Sequence, residues 1–359
     1  MKSGLEDVVA AETVLSDVDG KNGQLIVRGV SLDDLVTSSR YEDVVGLLFG
    51  SFLPTPPDLP AALGAARASV FTHLASAKDL AALPPVEGIR ALLARLADKD
   101  DLHTALELVA APAVFTAGLL RLKANLAPVA PDPALSHATD TLRMLGGTMP
   151  STEQVAALDR YLVTVADHGL NASTFAARVV ASTQAGLTSS VLAALSALKG
   201  PLHGGAPGPV LDMLDAVGTP ENAETWTAAA LTKGERLMGF GHRVYRVRDP
   251  RADALKGAVR MLAASGAIDP ARLALAEAVE TAALRQLRIK KPDRPLDTNV
   301  EFYTALLLEA LGFPREAFTC VFAMGRVAGW IAHAREQALE GRLIRPRSVY
   351  VGPMPQVAA

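Results

Sequence analysis

Ala176-Ala177-Arg178-Val179-Val180-Ala181-Ser182-Thr183-Gln184-Ala185-Gly186-Leu187-Thr188-Ser189-Ser190-Val191-Leu192-Ala193-Ala194-Leu195-Ser196-Ala197-Leu198 is the most apolar stretch of this 359-residue chain. It has the length of a membrane span. Yet it carries Arg178, Ser182, Thr183, Gln184, Thr188, Ser189 and Ser190, and a bilayer span rarely holds that many polar groups. The stretch therefore predicts a helix buried in a large soluble core. Hydrophobic residues make up 50% of the chain, enough for such a core and for more than one domain.

Outward from this stretch, strand signals are scarce. Gln24 to Gly29, after the turn-like Asp19-Gly20-Lys21-Asn22-Gly23, predicts one small N-terminal hairpin. Ser348-Val349-Tyr350-Val351-Gly352 predicts a further short strand. Almost everything else reads as helix. Ser31 is an N-cap before Leu32, and Ser151 with Gln154 fits a capping box whose helix runs to about His168-Gly169. Thr219-Pro220-Glu221 opens a helix that closes at Lys233-Gly234. Leu273, Ala276, Val279, Ala283 and Leu287 keep helical spacing. Proline clusters at 54–60 and 128–133 mark connections. No series of buried strands alternates with the helices, so a parallel-sheet fold is disfavoured. The fold class is all-α with a small N-terminal β-hairpin.

Composition narrows the function. Lysine and arginine number 35 against 38 acidic residues, a net charge of -3 that leaves no footprint for non-specific nucleic-acid binding. Met1 to Glu12 is charged and lacks an apolar core of signal-peptide length. Cys320 is the single cysteine, which excludes an intrachain disulfide and a thiolate metal cluster. A reducing cytoplasm and no membrane association are expected.

Three histidines sit beside glycines between predicted helices: His168 in Asp-His-Gly, His203 in Gly-Pro-Leu-His-Gly-Gly, and His242 in Gly-Phe-Gly-His-Arg. Histidine exchanges protons near neutral pH, and glycine permits close backbone approach. Three such loops within about 75 residues suggest one composite site. Arg243, Arg246, Arg248 and Arg251 follow His242, either as fork-shaped donors for carboxylate or phosphate or as a solvated basic loop. His203 fits a functional loop or a helix-ending turn. His168, at a predicted helix C-terminus, is expected to favour a protonated ring, and a capping role explains it equally. Neither His-x-x-x-His nor His-Glu-x-x-His occurs, so nothing favours a metal. Glu301 falls in the first turn of an apolar helix, where a carboxylate is stabilised, as a routine N-terminal acid would be. Arg326 interrupts the apolar stretch 321–330 and requires an anionic partner. Arg345-Pro346-Arg347 is by itself an ordinary surface motif.

Together, Ala166-Asp167-His168-Gly169-Leu170-Asn171-Ala172-Ser173-Thr174, Gly200 to Ala206, Met238 to Arg246 with Asp249-Pro250-Arg251, Thr298 to Tyr303, and Arg345-Pro346-Arg347 resemble the citrate synthase family. Gly4 to Ala11 and Arg28-Gly29 resemble its bacterial branch. The resemblance spans nearly the whole chain and is weakest across about residues 50 to 145. It implies a two-domain helical homodimer, with residues 1–204 and 305–359 as the large domain. Residues 205–304 would form a small domain that closes over the site. It implies condensation of acetyl-CoA with oxaloacetate, with no cofactor or metal, acetyl-CoA being a substrate. By motif, Glu301 matches the base, His203 the donor to the enolate oxygen, and His242 the donor that polarises the ketone. His168, Arg251 and Arg326 match carboxylate-binding positions, and Arg345 matches an arginine contributed across the dimer interface. Arg246 matches a position near the CoA phosphates, and Gly239, Phe240 and Gly241 lie where backbone approaches the adenine.

One departure stands out: family members commonly carry aspartate where Glu301 stands. The added methylene moves the carboxylate by about one bond length, and proton transfer depends on reach. The rival readings are a 2-methylcitrate synthase using propionyl-CoA and a non-catalytic paralogue that binds ligand.

Overall fold

The computed structural model describes residues 4–5, 8–204, 207–242, 245, 247–292 and 296–355. The expected hairpin is present: β1 (Ser16–Asp19) pairs antiparallel with β2 (Gln24–Val27), Ser16 opposite Val27 and Asp19 opposite Gln24. The Asp19 carboxylate closes the turn by accepting from the backbone of Lys21 and Asn22. A two-residue strand, β3 (Val30–Ser31), extends the sheet beyond the expected pair. Leu25 and Val27 are buried and fasten it to the helices. The strand expected at 348–352 does not form. Residues 348–352 are exposed and unpaired with any strand among the described residues, and a β-prone sequence without a neighbouring edge makes no ladder.

The first helices are α1 (Leu32–Ser38), α2 (Tyr41–Phe49), α3 (Leu59–Phe71), α4 (Pro85–Leu93), α5 (Leu102–Lys123) and α6 (His137–Gly146). Next come α7 (Thr152–Val165), α8 (Ala172–Ala181) and α9 (Leu187–Leu198). Ser31 caps α1 by accepting from the Asp34 amide at 3.1 Å, and Ser151 and Gln154 form the capping box of α7. The proline clusters join α2 to α3 and α5 to α6, as expected.

The opening stretch differs from its reading: it holds parts of two packed helices, α8 and α9. Ser182 and Thr183 turn their hydroxyls onto the carbonyls of Val179 and Val180, and Gly186 takes a φ of +99°. The Asp98 carboxylate then caps α9, accepting from Thr188 N at 2.9 Å. The polar residues in the middle of the stretch are this turn.

The remaining helices are α10 (Pro207–Val217), α11 (Ala223–Thr232), α12 (Pro250–Ala264), α13 (Pro270–Lys290), α14 (Val300–Ala310) and α15 (Phe318–Glu340). Helix α11 follows a short 3₁₀ turn at Pro220–Asn222 and ends at Lys233 with Gly234 left-handed, as the sequence predicts. On α13, Ala276, Val279, Ala283 and Leu287 are buried. Helices α5 and α15 are long and apolar enough to cross a membrane, but their apolar windows are 78% and 89% buried in the core. Helix α15 packs against α5, α7, α8 and α9. It approaches the end of α7 closely at Gly329, where a Cβ would lie 2.4 Å from the Ala166 carbonyl oxygen.

Candidate active site

His168 lies in the turn after α7, buried, with Nε2 3.1 Å from the Tyr245 hydroxyl. The expectation of a protonated ring is overturned. Burial, then the positive charges of Arg251 and Arg326, hold its pKa well below the usual histidine value. These outweigh the partial charge of a helix end, a small effect that fades within a turn.

His203 lies in the turn after α9, its amide donating to the Gly200 carbonyl at 2.9 Å. Its Nε2 sits 2.8 Å from the Ser173 hydroxyl near the start of α8. Burial, then Arg326, lowers its pKa to about 4. The Ser173 oxygen also accepts from Trp330 Nε1–H at 3.1 Å, and its hydroxyl donates to Asn171 Oδ1 at 2.8 Å.

The neutral tautomer of His242 follows from its surroundings. Its Nδ1 accepts from the Tyr245 amide at 3.1 Å, so the ring proton belongs on Nε2. Burial, then Arg251, lowers its pKa to about 4. The Arg251 Nη2 group stands 3.2 Å from that Nε2. Two N–H donors thus converge, an arrangement suited to an oxygen acceptor.

Arg251 and Glu301 are set side by side by one residue. The buried Asp249 carboxylate caps α12 through Arg251 N and takes Arg251 Nε at 3.0 Å and Nη2 at 2.8 Å. It also accepts from Val300 N at 3.2 Å, at the start of α14. Asn299 caps α14 through Glu301 N at 3.0 Å and donates to the Gly241 carbonyl at 2.8 Å. Asn299 N to Gly239 O and Gly241 N to Asp297 O complete a strap between the two loops.

The expectation that the helix start keeps Glu301 ionised is also corrected. Burial dominates and, with Asp249 adding to it, lifts the carboxyl to about 7 against the pull of Arg251 and Arg326. The Phe240 ring is buried on Phe302, 5.2 Å between centroids, so it belongs to the core. Gly239 has φ +85°, and a Cβ there would lie 2.8 Å from Phe302.

Arg326, buried on α15, donates from Nε to the Val165 carbonyl at 2.5 Å and stacks on Phe322. Burial lowers its pKa to about 10, with Asp167 the foremost opposing charge. Its Nη2 has no hydrogen-bond partner among the described residues. Arg345 is exposed in the segment after α15, outside this cluster. Arg246 lies outside the described residues. Among the described residues, no group of three or more His, Cys, Asp or Glu side chains is placed to hold a metal ion.

The family model described as citrate synthase, C-terminal domain, matches residues 4–347. The citrate synthase of Haloferax volcanii is 38% identical, covering 98% of this chain and 96% of its own. A 2-methylcitrate synthase of Mycobacterium tuberculosis is 35% identical, covering 98% and 91%. The citrate synthase of Thermoplasma acidophilum, solved in ternary complex with carboxymethyl coenzyme A and oxaloacetate, superposes with a TM-score of 0.88. It is 30% identical, with 100% of this chain and 98% of that chain covered.

The chain belongs to the citrate synthase family.

Several residues beside these groups have no role implied by the motifs. Asp249 and Tyr245 are two of them; the Asp-Pro-Arg capping signal pointed to the first, and nothing local pointed to the second. Beneath His168 runs a buried line of hydrogen-bonded charged and polar side chains. Arg178 donates from Nε to His333 Nδ1 at 3.0 Å, from Nη1 to Gln337 Oε1 at 3.0 Å, and from Nη2 to the Glu336 carboxylate. His333 therefore carries a proton on Nε2, which it donates to Asp167 Oδ2 at 3.3 Å. Asp167 also accepts from Ser16 Oγ at 2.5 Å. Burial pushes the Asp167 carboxyl up, but His333, Arg326 and Ser16 outweigh it and hold it at about 2. The isolated Arg178 within the opening stretch was the one sequence signal of this network.

Proposed function

We propose that this chain condenses acetyl-CoA with oxaloacetate and water to give citrate and CoA. The observation that carries the reading is Glu301, a carboxyl with a pKa of about 7 among buried arginines and neutral histidines. A thioester α-carbon is a weak acid, so a base and an enolate stabiliser must act together. Glu301 takes the α-proton. His203 donates to the thioester oxygen as negative charge develops there. His242 Nε2–H polarises the oxaloacetate ketone, and the enolate carbon attacks it. Water then cleaves the citryl thioester and releases CoA.

His168, Arg251 and Arg326 hold the carboxylates, joined by Arg345 from a second copy in a homodimer. Arg246 and the backbone of Gly239 to Gly241 meet the CoA. Residues 205–304 close over residues 1–204 and 305–359 to exclude water. The reaction needs no metal or redox cofactor, and the buried, unpaired Cys320 suits a reducing cytoplasm.

CoA release, followed with a thiol reagent, tests the reading. Acetyl-CoA is expected to exceed propionyl-CoA in kcat/KM by about tenfold, since one methylene discriminates by about 1–3 kcal/mol. A higher kcat/KM with propionyl-CoA would make the chain a 2-methylcitrate synthase. A folded dimer that binds oxaloacetate and turns over neither thioester would make it a non-catalytic paralogue.

A further inference from the structure

Tyr161 lies on α7, two turns before His168, and its side chain is fully buried. Among the described residues its hydroxyl has no hydrogen-bond partner. Buried polar groups are nearly always paired, so an orphaned hydroxyl in a well-packed helix needs a reason. A second orphan, Arg326 Nη2, belongs to the same region. Helix α7 packs against α12, α14 and α15, which carry Arg251, Glu301 and Arg326. The charges of these three residues are the ones that act on the Tyr161 hydroxyl.

Glu301 is a strong acceptor in the same cluster, yet the hydroxyl does not bond to it. Among the described residues the hydroxyl thus has no acceptor, while the guanidiniums of Arg251 and Arg326, both suited to an anion, act on it. Burial holds the phenol protonated, its pKa raised above the usual tyrosine value, so the hydroxyl is a donor at any working pH.

We propose that the Tyr161 hydroxyl binds substrate, donating to a carboxylate of the dicarboxylic 2-oxo acid that Arg326 Nη2 also engages. The two oxygens of one carboxylate match the two unpartnered donors. The donors are already out of water in the free protein, so binding recovers hydrogen bonds without a further cost for stripping them of solvent. The identity of the acid rests on the condensation reading above.

Tyr161→Phe removes the hydroxyl and keeps the ring. A structural hydroxyl would lose a partner and lower the thermal midpoint. An orphan has none to lose, so the midpoint is expected to stay level or rise. Oxaloacetate Kd by calorimetry and oxaloacetate KM are both expected to rise about tenfold, the value of a hydrogen bond to a charged group. KM for acetyl-CoA and kcat are expected to stay within about twofold, since the contact is made in ground and transition states alike. An unchanged oxaloacetate Kd, a lowered midpoint, or a fall in kcat alone overturns the assignment. A wild-type protein that binds no oxaloacetate overturns it together with the condensation reading. A wild-type protein that turns over while the variant is unaffected overturns the tyrosine assignment alone.

Discussion

A base for a thioester α-proton has to be ionised when substrate arrives and still hold a proton well. Glu301 sits near that balance, with burial lifting its carboxyl to about 7 and two guanidiniums limiting the rise. Condensation with acetyl-CoA is therefore expected to climb with pH through about 7 and then level off, read from kcat/KM across pH 5.5 to 8.5. Glu301→Gln is expected to lose most turnover while oxaloacetate binding by calorimetry persists. Turnover retained there and abolished instead in Asp297→Asn would move the base to Asp297.

The same residue links to stability with a definite sign. Its folded pKa lies above its unfolded value, so the folded state binds more protons between about 4.5 and 7. Stability gained from the protonated form is present below about 4.5 and lost as pH rises through about 7. Glu301→Gln should match the wild-type thermal midpoint at pH 4.5 and exceed it at pH 8. A midpoint that is lower at pH 8 would mean that the ionised carboxylate is net stabilising.

At the scale of elements, what the sequence made legible was local chemistry. Ser31 and the Ser151–Gln154 pair announce their helices because a cap is formed by residues three apart. The split of 176–198 into α8 and α9 escaped because the cap of α9 comes from Asp98, some 90 residues earlier. The neutral ring of His168 is hidden from the sequence for a similar reason: its burial, and the approach of Arg251 and Arg326, arise only through the tertiary fold. The motif residues themselves were legible, and His168, His203, His242, Arg251, Glu301 and Arg326 share one cluster of mutual charge and contact. The Arg178–His333–Asp167 line that supports them was not, because its members come from three separate elements.

Helix α15 connects those elements, and Gly329 is where it meets the turn carrying His168. A Cβ there would lie 2.4 Å from Ala166 O and 2.7 Å from Asp167 Oδ1, both held by the packing around them. Gly329→Ala should cost about 2 kcal/mol or more in denaturant unfolding, in the range of overpacked cores. Its oxaloacetate KM should rise as well, since the clash displaces the residue beside His168. A stability equal to wild type would show that α15 and the turn can part without loss.

The whole molecule poses the question of where Arg345 acts. It is exposed on the segment after α15, while its proposed ligand lies in a cluster built from α7, α9, α12, α14 and α15. Two facts tie the start of that segment down: Gln337 Nε2 donates to the Arg342 carbonyl at 3.0 Å, and Ile344 N donates to Ser182 Oγ at 3.0 Å. Beyond it, Val349, Tyr350, Val351 and Met354 are largely exposed, apolar surface that a second copy would cover. Pairing an Arg345→Ala chain with a Glu301→Gln chain separates the possibilities. In a two-fold dimer whose sites share residues, one site of the mixed dimer receives both lesions and the other receives none. Each parent homodimer is expected to be nearly inactive. The heterodimer, isolated through two different tags, is expected to recover about half of wild-type activity, one intact site of two. If Arg345 served its own chain, each site of the heterodimer would carry one lesion, and the recovered activity would be no more than that of the parents.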